Sequence, residues 1–144
     1  MNGFLLDTNV PSEMTRPRPS PLVERWLDDV DDAQLFLSVI SLAEILRGIS
    51  RLPESNRRSQ LQLWLDETLR PWFKDRILPV SQPIAERLGR LAGERDSKGF
   101  SLPVADGLIA ATALEHGLTL VTRNVKDFDG LGIPLLNPWQ PERQ

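Results

Sequence analysis

Short apolar runs alternate along the chain with longer segments in which apolar side chains recur every three or four residues. The short runs have the length of buried β-strands, and the longer spacing is that of helices with one apolar face. Because Pro79 lacks a backbone donor, its run is expected at a sheet edge or a strand end. We therefore predict five strands, at residues 4–6, 35–40, 77–80, 118–122 and 133–136.

Helices are predicted between these strands. Pro17, Pro19 and Pro21 enforce a loop early in the chain, and Gly99 and Gly117 end two of the later helices. Since strands alternate with helices, without a composition break or a repeat, we predict one α/β domain over residues 1–144 with a mainly parallel sheet. The helices are a short one after residue 9 and longer ones at 22–30, 41–50, 54–69, 83–98 and 103–116.

The composition removes several kinds of chemistry. The 144 residues include no cysteine and one histidine, so disulfides, thiolate metal sites and cysteine nucleophiles are excluded, and histidine-based triads are disfavoured. No apolar run approaches the roughly 20 residues that span a bilayer, and residues 4–6 are too short for a signal-peptide core. We expect a soluble cytoplasmic protein with no membrane contact.

The net charge of −3 argues mildly against nucleic-acid binding by bulk electrostatics. The cations are mostly arginines, however, and several of them are grouped. A solvated helix surface is the favoured interpretation, and contact with phosphate stays open as the alternative. The grouped residues are Arg16, Arg18, Arg47, Arg51, Arg57 and Arg58.

Three acids, Asp7, Glu44 and Asp106, lie where apolar segments meet polar sequence. Asp7 follows the first predicted strand, Glu44 lies in the first turn of the helix after the second, and Asn124 lies just past the fourth. Ligands of parallel sheets bind beyond the carboxyl ends of the strands, so these positions share one edge. Asp106 begins the helix that leads into the fourth strand, so it is expected near the same edge.

Each of these residues also has a purely structural interpretation. Asp7 suits a helix N-cap, and residues 41–44 match a capping box in which Glu44 bonds the backbone of Ser41. Asp106 complements the positive end of its helix, although its apolar neighbours predict partial burial and a need for a partner. Asn124 and Asp127 match a helix start.

Carboxylates gathered at one edge need a proton or a cation. Two of them about 4 Å apart repel by roughly 4 kcal/mol at an effective dielectric near 20. Oxygen ligands without histidine or cysteine suit Mg²⁺ or Mn²⁺. Such an ion activates water and neutralises a phosphate under attack, which phosphodiester hydrolysis requires. The spacing allows this chemistry without demanding it.

Four segments together resemble the motifs of PIN-domain ribonucleases, most closely the VapC and FitB-type toxins of toxin–antitoxin modules. They are LLDTN at 5–9, SLAE at 41–44, VADGLIAATA at 104–113 and TRNVKDF at 122–128. Together with Asn137-Pro138-Trp139, they extend the resemblance over nearly the whole chain. It implies a three-layer α/β/α fold around a five-stranded, mainly parallel sheet.

The resemblance also implies roles for individual residues. Asp7, Glu44 and Asp106 would bind the metal, with Thr8 adding a hydroxyl. Asn124 stands where many relatives carry a fourth acid, and Asp127 is the residue expected to compensate for that missing charge. The implied activity is that of a Mg²⁺-dependent endoribonuclease, with Mn²⁺ able to substitute.

The implied partners are an RNA substrate, a second copy of the chain and a cognate antitoxin, with DNA contacted only through the antitoxin. Trp64, Trp72 and Phe73 lend the homodimer modest support, and core packing is their alternative interpretation. A PIN scaffold with weak or no catalysis, binding RNA or a protein, is the alternative function.

Two other Mg²⁺-dependent folds are disfavoured because residues are absent. Haloacid-dehalogenase phosphotransferases need a second Asp at the position of Asn9. Response-regulator receivers need a phosphorylatable Asp at the end of the third strand, where Ser81 follows Val80.

Overall fold

The computed structural model describes residues 3–141. Its centre is a five-stranded sheet in which all paired strands are parallel, in the order β3-β2-β1-β4-β5. This arrangement confirms the predicted α/β class and the predicted parallel sheet. The strands are β1 (Phe4–Leu6), β2 (Leu35–Ser38), β3 (Ile77–Leu78), β4 (Thr119–Val121) and β5 (Leu135–Leu136).

Helices fill the connections between the strands. Single turns of 3-10 helix at Asp32–Gln34 and Val125–Phe128 add to them. The helices are α1 (Asn9–Glu13), α2 (Pro21–Asp29), α3 (Val39–Arg51), α4 (Asn56–Trp64), α5 (Arg70–Trp72), α6 (Gln82–Ser97) and α7 (Val104–His116).

The central strand β1 separates two apolar cores. Leu5 and Leu6 are both fully buried, and because successive side chains of a strand point to opposite faces, they enter different cores. The core around Leu6 is built with α2, α3 and the segment 65–73, and the core around Leu5 is built with α7 and residues 128–133. The chain therefore has the expected three layers, α/β/α.

The boundary between β2 and α3 differs from the prediction. We predicted a strand to residue 40 and a helix from residue 41, but the strand ends at Ser38 and the helix begins at Val39. The Ser38 hydroxyl accepts the Ile40 N–H at 3.0 Å, so Ser38 is the N-cap. Glu44 consequently lies in the second turn of α3, not the first.

The predicted helix 54–69 is interrupted. After α4, residues Leu65–Leu69 form a π-helical turn, in which the Arg70 N–H donates to the Leu65 carbonyl five residues back. Pro71 has no N–H to continue the α-helical ladder, and its ring would crowd the preceding turn, so a wider turn relieves both problems. The widened turn still buries Leu65 and Leu69 completely.

Other predicted ends are close to the observed ones. β3 is an edge strand that stops before Pro79, as expected. Gly117 ends α7 at φ +63°, a left-handed conformation that glycine adopts without strain. Among the helices of residues 3–141, none combines the length and the apolar character needed to cross a membrane.

The three aromatic residues considered for a dimer surface belong mainly to the core. Phe73 is fully buried, and Trp64 and Trp72 are half-buried against the same apolar cluster. Core packing is therefore the interpretation for Phe73, whereas Trp64 and Trp72 pack against the core and also keep exposed surface.

Candidate active site

Asp7 lies directly beyond the carboxyl end of β1 and is only 7% exposed. Leu6 pairs with Val121 of β4, so Asp7 and Thr122 are the next residues along two neighbouring strands. The Thr122 hydroxyl donates to Asp7 Oδ2 at 2.8 Å, and the Thr8 N–H donates to Asp7 Oδ1 at 2.8 Å. Both oxygens are thus held by donors, and the carboxylate has one orientation.

Thr8 connects this strand end to α3. Its hydroxyl donates to Glu44 Oε1 at 2.6 Å and lies 2.9 Å from Ser41 Oγ. The capping-box interpretation of Ser41 and Glu44 is therefore wrong, because Ser38 caps the helix and Glu44 turns toward β1 instead. The N-cap interpretation of Asp7 is wrong as well, since Thr8 is the N-cap residue of α1.

Asp106 is the third residue of α7 and is half-buried, as its apolar surroundings predicted. Burial raises the pKa of Asp106, and the negative charges of Asp127 and Glu44 raise it further. A Cβ atom on the next residue, Gly107, would lie 2.1 Å from Leu88 Cδ1. Glycine therefore lets α7 approach α6 closely at the turn that carries Asp106.

The electrostatics of Asp7 show the same crowding of negative charge. Burial, with some contribution from the charges of Asp106 and Glu44, raises the pKa of Asp7 to about 6, although the hydrogen bonds from Thr122 and Thr8 act in the opposite direction. The three acids singled out from the sequence are therefore close enough to influence one another.

Asn124 and Asp127 lie on the short turn after β4, and both are exposed. The Asn124 N–H donates to the Thr122 hydroxyl at 3.0 Å, and the Asn124 carbonyl accepts the Asp127 N–H at 3.0 Å. Asn124 precedes the helical turn as expected, but its side chain makes no capping bond there. Asp127 is coupled electrostatically to Asp106, so this turn brings a fourth acid to the site.

Thr122 and Ser41 lie in the site, although the sequence analysis gave neither of them a role there. Thr122 is fully buried, and its hydroxyl serves Asp7, Asn124 and the Asn9 side chain, the last at 3.4 Å. The signal that would have found it is strand register, because the residue paired beyond Val121 must face the residue beyond Leu6. Ser41 is likewise fully buried, beside Thr8.

The donor atoms at this edge suit a hard divalent cation. The ion pairs found among residues 3–141 involve none of Asp7, Glu44, Asp106 and Asp127, so these acids have no protein cation to offset them there. Within the same residues, no group of three His, Asp or Glu side chains is spaced so that it could hold a metal ion as it stands. The arrangement supplies the ligand chemistry of Mg²⁺ without fixing its coordination geometry.

Comparison with known proteins agrees with this site. The model of the PIN-domain family matches residues 4–132. The toxin FitB of Neisseria gonorrhoeae is 37% identical over 136 residues, which cover 94% of this chain and 98% of FitB. The VapC ribonuclease Y4jK of Sinorhizobium fredii is 34% identical over 138 residues, which cover 96% of this chain and 99% of the relative.

A solved structure, FitAB bound to a DNA fragment called IR36, has the same fold. Its matched chain superposes with a TM-score of 0.91 at 35% identity, over 98% of this chain and 99% of that one. The chain therefore belongs to the PIN-domain family, within the group that contains the FitB toxin and the VapC ribonucleases.

Proposed function

We propose that this chain is a Mg²⁺-dependent endoribonuclease that acts as the toxin of a type II toxin–antitoxin module. The observation that carries the proposal is the state of Asp7. It is a buried carboxylate oriented by Thr8 and Thr122, and it experiences the negative charges of Asp106 and Glu44. The names of the relatives, ribonuclease and toxin, support the choice of RNA as substrate.

Asp7 and Asp106 are the proposed ligands, and Glu44 is a further ligand or the base that deprotonates the attacking water. A Mg²⁺ or Mn²⁺ ion bound there would lower the pKa of a bound water and offset charge on the scissile phosphate. The chain's own contribution is orientation. Hydrogen bonds from Thr8 and Thr122 fix the orientation of the Asp7 carboxylate, and the Thr8 hydroxyl holds Glu44 toward the same edge.

Asn124 adds a neutral side chain to the turn after β4, at the position where the resemblance to PIN-domain ribonucleases implies a fourth acid. We propose that Asp127 supplies the missing charge, because it lies close enough to raise the pKa of Asp106. Asn124 keeps a part in the site through its backbone bond to Thr122, which also binds Asp7.

RNA cleavage tests the function directly. The purified chain should cut RNA when Mg²⁺ or Mn²⁺ is added and should stop when the ion is chelated. Asp7→Asn and Asp106→Asn should lower the rate by roughly 100-fold or more, because each removes a charged group from the reacting centre. Glu115→Gln is the matched control, since Glu115 lies on the same helix as Asp106, about 13 Å further along its axis.

Full activity in both Asp variants would rule out this assignment. A chain that binds RNA but neither cuts it nor takes up Mn²⁺ in calorimetry would instead be the scaffold with weak or no catalysis. Asn124 is the residue that gives this alternative some weight, because it replaces one acid of the site.

An antitoxin is the proposed protein partner, and any contact with DNA is proposed to pass through it. The solved FitAB structure, which was bound to DNA, supports this assignment. A cavity of about 260 Å³ adjoins the site, and we propose that an apolar segment of the antitoxin enters it. Thr8, Glu44, Ile45, Ile49, Leu61 and Trp64 are among its lining residues.

A homodimer, a single domain over residues 1–144 and a cytoplasmic location also stay proposals. Sedimentation of the purified chain tests the first of them. A mass of one chain at micromolar concentration would contradict the homodimer, and twice that mass is expected.

A further inference from the structure

Arg123 lies between two residues of the candidate site. Thr122 before it binds Asp7, and Asn124 after it donates to Thr122. The Arg123 backbone is also held from both sides by long hydrogen bonds of 3.5 Å, one from its N–H to Asn9 Oδ1 and one from Asn137 Nδ2 to its carbonyl. These contacts hold the Arg123 backbone beside the acids.

The Arg123 side chain rests on an aromatic ring. Its guanidinium carbon lies 5.4 Å from the centroid of the Trp139 ring, within the range of a cation–π interaction. Trp139 is half-buried against the core, and its backbone N–H donates to Asn137 Oδ1 at 2.9 Å. Asn137 thus bonds both partners, through Arg123's carbonyl and Trp139's amide, and sets the ring beside the guanidinium.

Arg123 forms no ion pair inside the described part of the chain. The ion pairs among residues 3–141 are formed by Arg16, Arg70 and Arg87, and Arg123 is exposed. No hydrogen bond from the Arg123 guanidinium N–H groups is found within the same residues, where its contact is the Trp139 ring. They therefore stay available for a planar, bidentate contact with a phosphate.

A cation is needed at this place if RNA is to approach. The chain has a net charge of −3, and its candidate site gathers Asp7, Glu44, Asp106 and Asp127. These acids repel a polyanion, so positive side chains beside them would add to the attraction that a bound divalent ion provides. Arg123 is joined through its neighbour Thr122 to the most buried of these acids, and its side chain is exposed and held beside Trp139.

We propose that Arg123 binds an RNA phosphate next to the scissile phosphodiester, and that Trp139 and Asn137 are positioning residues that hold it there. This inference rests on the proposed ribonuclease function. It assigns Arg123 to substrate binding, because a flanking phosphate keeps its charge throughout the reaction. The contact should contribute equally to the bound substrate and to the transition state, and so should affect KM and not kcat.

Arg123→Gln tests the assignment, because the exposed side chain can be replaced without disturbing the core. Binding of a fluorescein-labelled single-stranded RNA is measured by anisotropy in a chelator, over a series of KCl concentrations. The Kd should rise about tenfold. The slope of log Kd against log salt should become shallower by about 0.7, which corresponds to one phosphate contact on a single strand. With Mg²⁺ present, KM should rise by a similar factor at unchanged kcat.

Two further variants separate the contribution of the Arg123 charge from that of the Trp139 ring beside it. Arg123→Lys keeps the cation but loses the planar fork, so it should keep the salt slope and regain only part of the affinity. Trp139→Leu keeps Arg123 but removes the ring, so it should weaken binding with an unchanged slope. Its melting temperature is measured alongside, since Trp139 also packs against the core.

Arg87→Gln is the matched control, because it removes the same charge from an arginine paired with Glu115 at the far end of α7. If Arg123→Gln matches this control in Kd, salt slope and KM, the inference is wrong, whatever happens to its melting temperature. If the unsubstituted chain neither binds nor cuts RNA, the ribonuclease function itself is wrong. Cleavage by the unsubstituted chain, with no effect of Arg123→Gln, overturns the inference and leaves the function standing.

Discussion

Opposing effects act on the charge of the Asp7 side chain. Its two oxygens accept hydrogen bonds from Thr8 and Thr122, which favour the charged form. Burial and the neighbouring acids favour the neutral form and prevail, so the pKa of Asp7 is raised from 3.8 to about 6. The pKa of Asp7 stays raised even though two donors bind its oxygens, so its charged form costs the fold free energy. A bound cation would offset that cost, which suits Asp7 to metal binding more than to stabilising the fold.

This conflict predicts an unusual pH dependence of stability. Because the folded chain binds the Asp7 proton more tightly than the unfolded chain does, the free energy of unfolding should fall as the pH rises from about 4 to about 6. The raised pKa corresponds to a loss of about 3 kcal/mol over this range. Urea unfolding at pH 4 and pH 7, in a chelator, should show a loss larger by about 3 kcal/mol in the natural sequence than in Asp7→Asn, because the raised pKa of Asp106 leaves the variant a loss of the same sign.

The change with pH is the informative quantity in that experiment. The amide of the Asp7→Asn variant has one accepting oxygen where the carboxylate has two, so this variant loses one hydrogen bond at every pH, and this loss does not itself vary with pH. Glu86→Gln serves as the control, because Glu86 is an exposed acid that forms no ion pair among residues 3–141. An identical pH dependence in the natural sequence and in Asp7→Asn would show that Asp7 does not titrate as described. Added Mn²⁺ should restore stability above pH 6 in the natural sequence alone.

At the scale of elements, apolar periodicity predicted which segments form helices and strands because it reports burial directly. It failed at the boundary between β2 and α3, where residues 35–40 are apolar except for Ser38. Such a run does not distinguish the end of a strand from the start of a helix. The start of α3 is set by one hydrogen bond, from the Ile40 N–H to the Ser38 hydroxyl. The sequence around Ser41 matched the more familiar capping pattern and so misplaced the helix start.

The π-helical turn at Leu65–Leu69 was not predictable for a related reason. The apolar spacing of Leu61, Leu65 and Leu69 fits a continuous α-helix, and Pro71 lies beyond the predicted end. Its effect reaches back along the chain, because the missing N–H and the ring act on the preceding turn. Patterns of polarity carry no information about such backbone constraints.

The strand-end rule placed the acids correctly without any contact information. Asp7, Glu44 and Asp106 all reach one edge because parallel strands and their connecting helices begin and end there. The rule did not reveal Thr122, since its role depends on which residue of β4 pairs with which residue of β1. Register is a property of the assembled sheet, and a single sequence does not state it.

At the scale of the whole molecule, the proposed catalytic edge and the proposed antitoxin surface share residues. Thr8 and Glu44 belong to the site, and they also line the cavity between α1, α3 and α4. An occupant of that cavity would therefore contact the acids as well as the apolar residues Ile49 and Leu61. One binding event could thus both seat the antitoxin and block the reaction, without a separate regulatory site.

Gly48 allows the cavity to be filled without disturbing the fold. It lines the cavity within α3, and a Cβ atom built on it meets nothing within 4 Å. Since glycine is also unfavourable inside a helix, Gly48→Phe should fold well while its ring occupies the space proposed for the antitoxin. Direct binding of the co-purified antitoxin to this variant, measured by calorimetry, should have a Kd at least about tenfold higher than binding to the natural sequence. Gly89→Phe is the control, because Gly89 lies in α6 and its Cβ is equally unobstructed. Equal antitoxin affinity of Gly48→Phe and Gly89→Phe would place the antitoxin elsewhere on the surface.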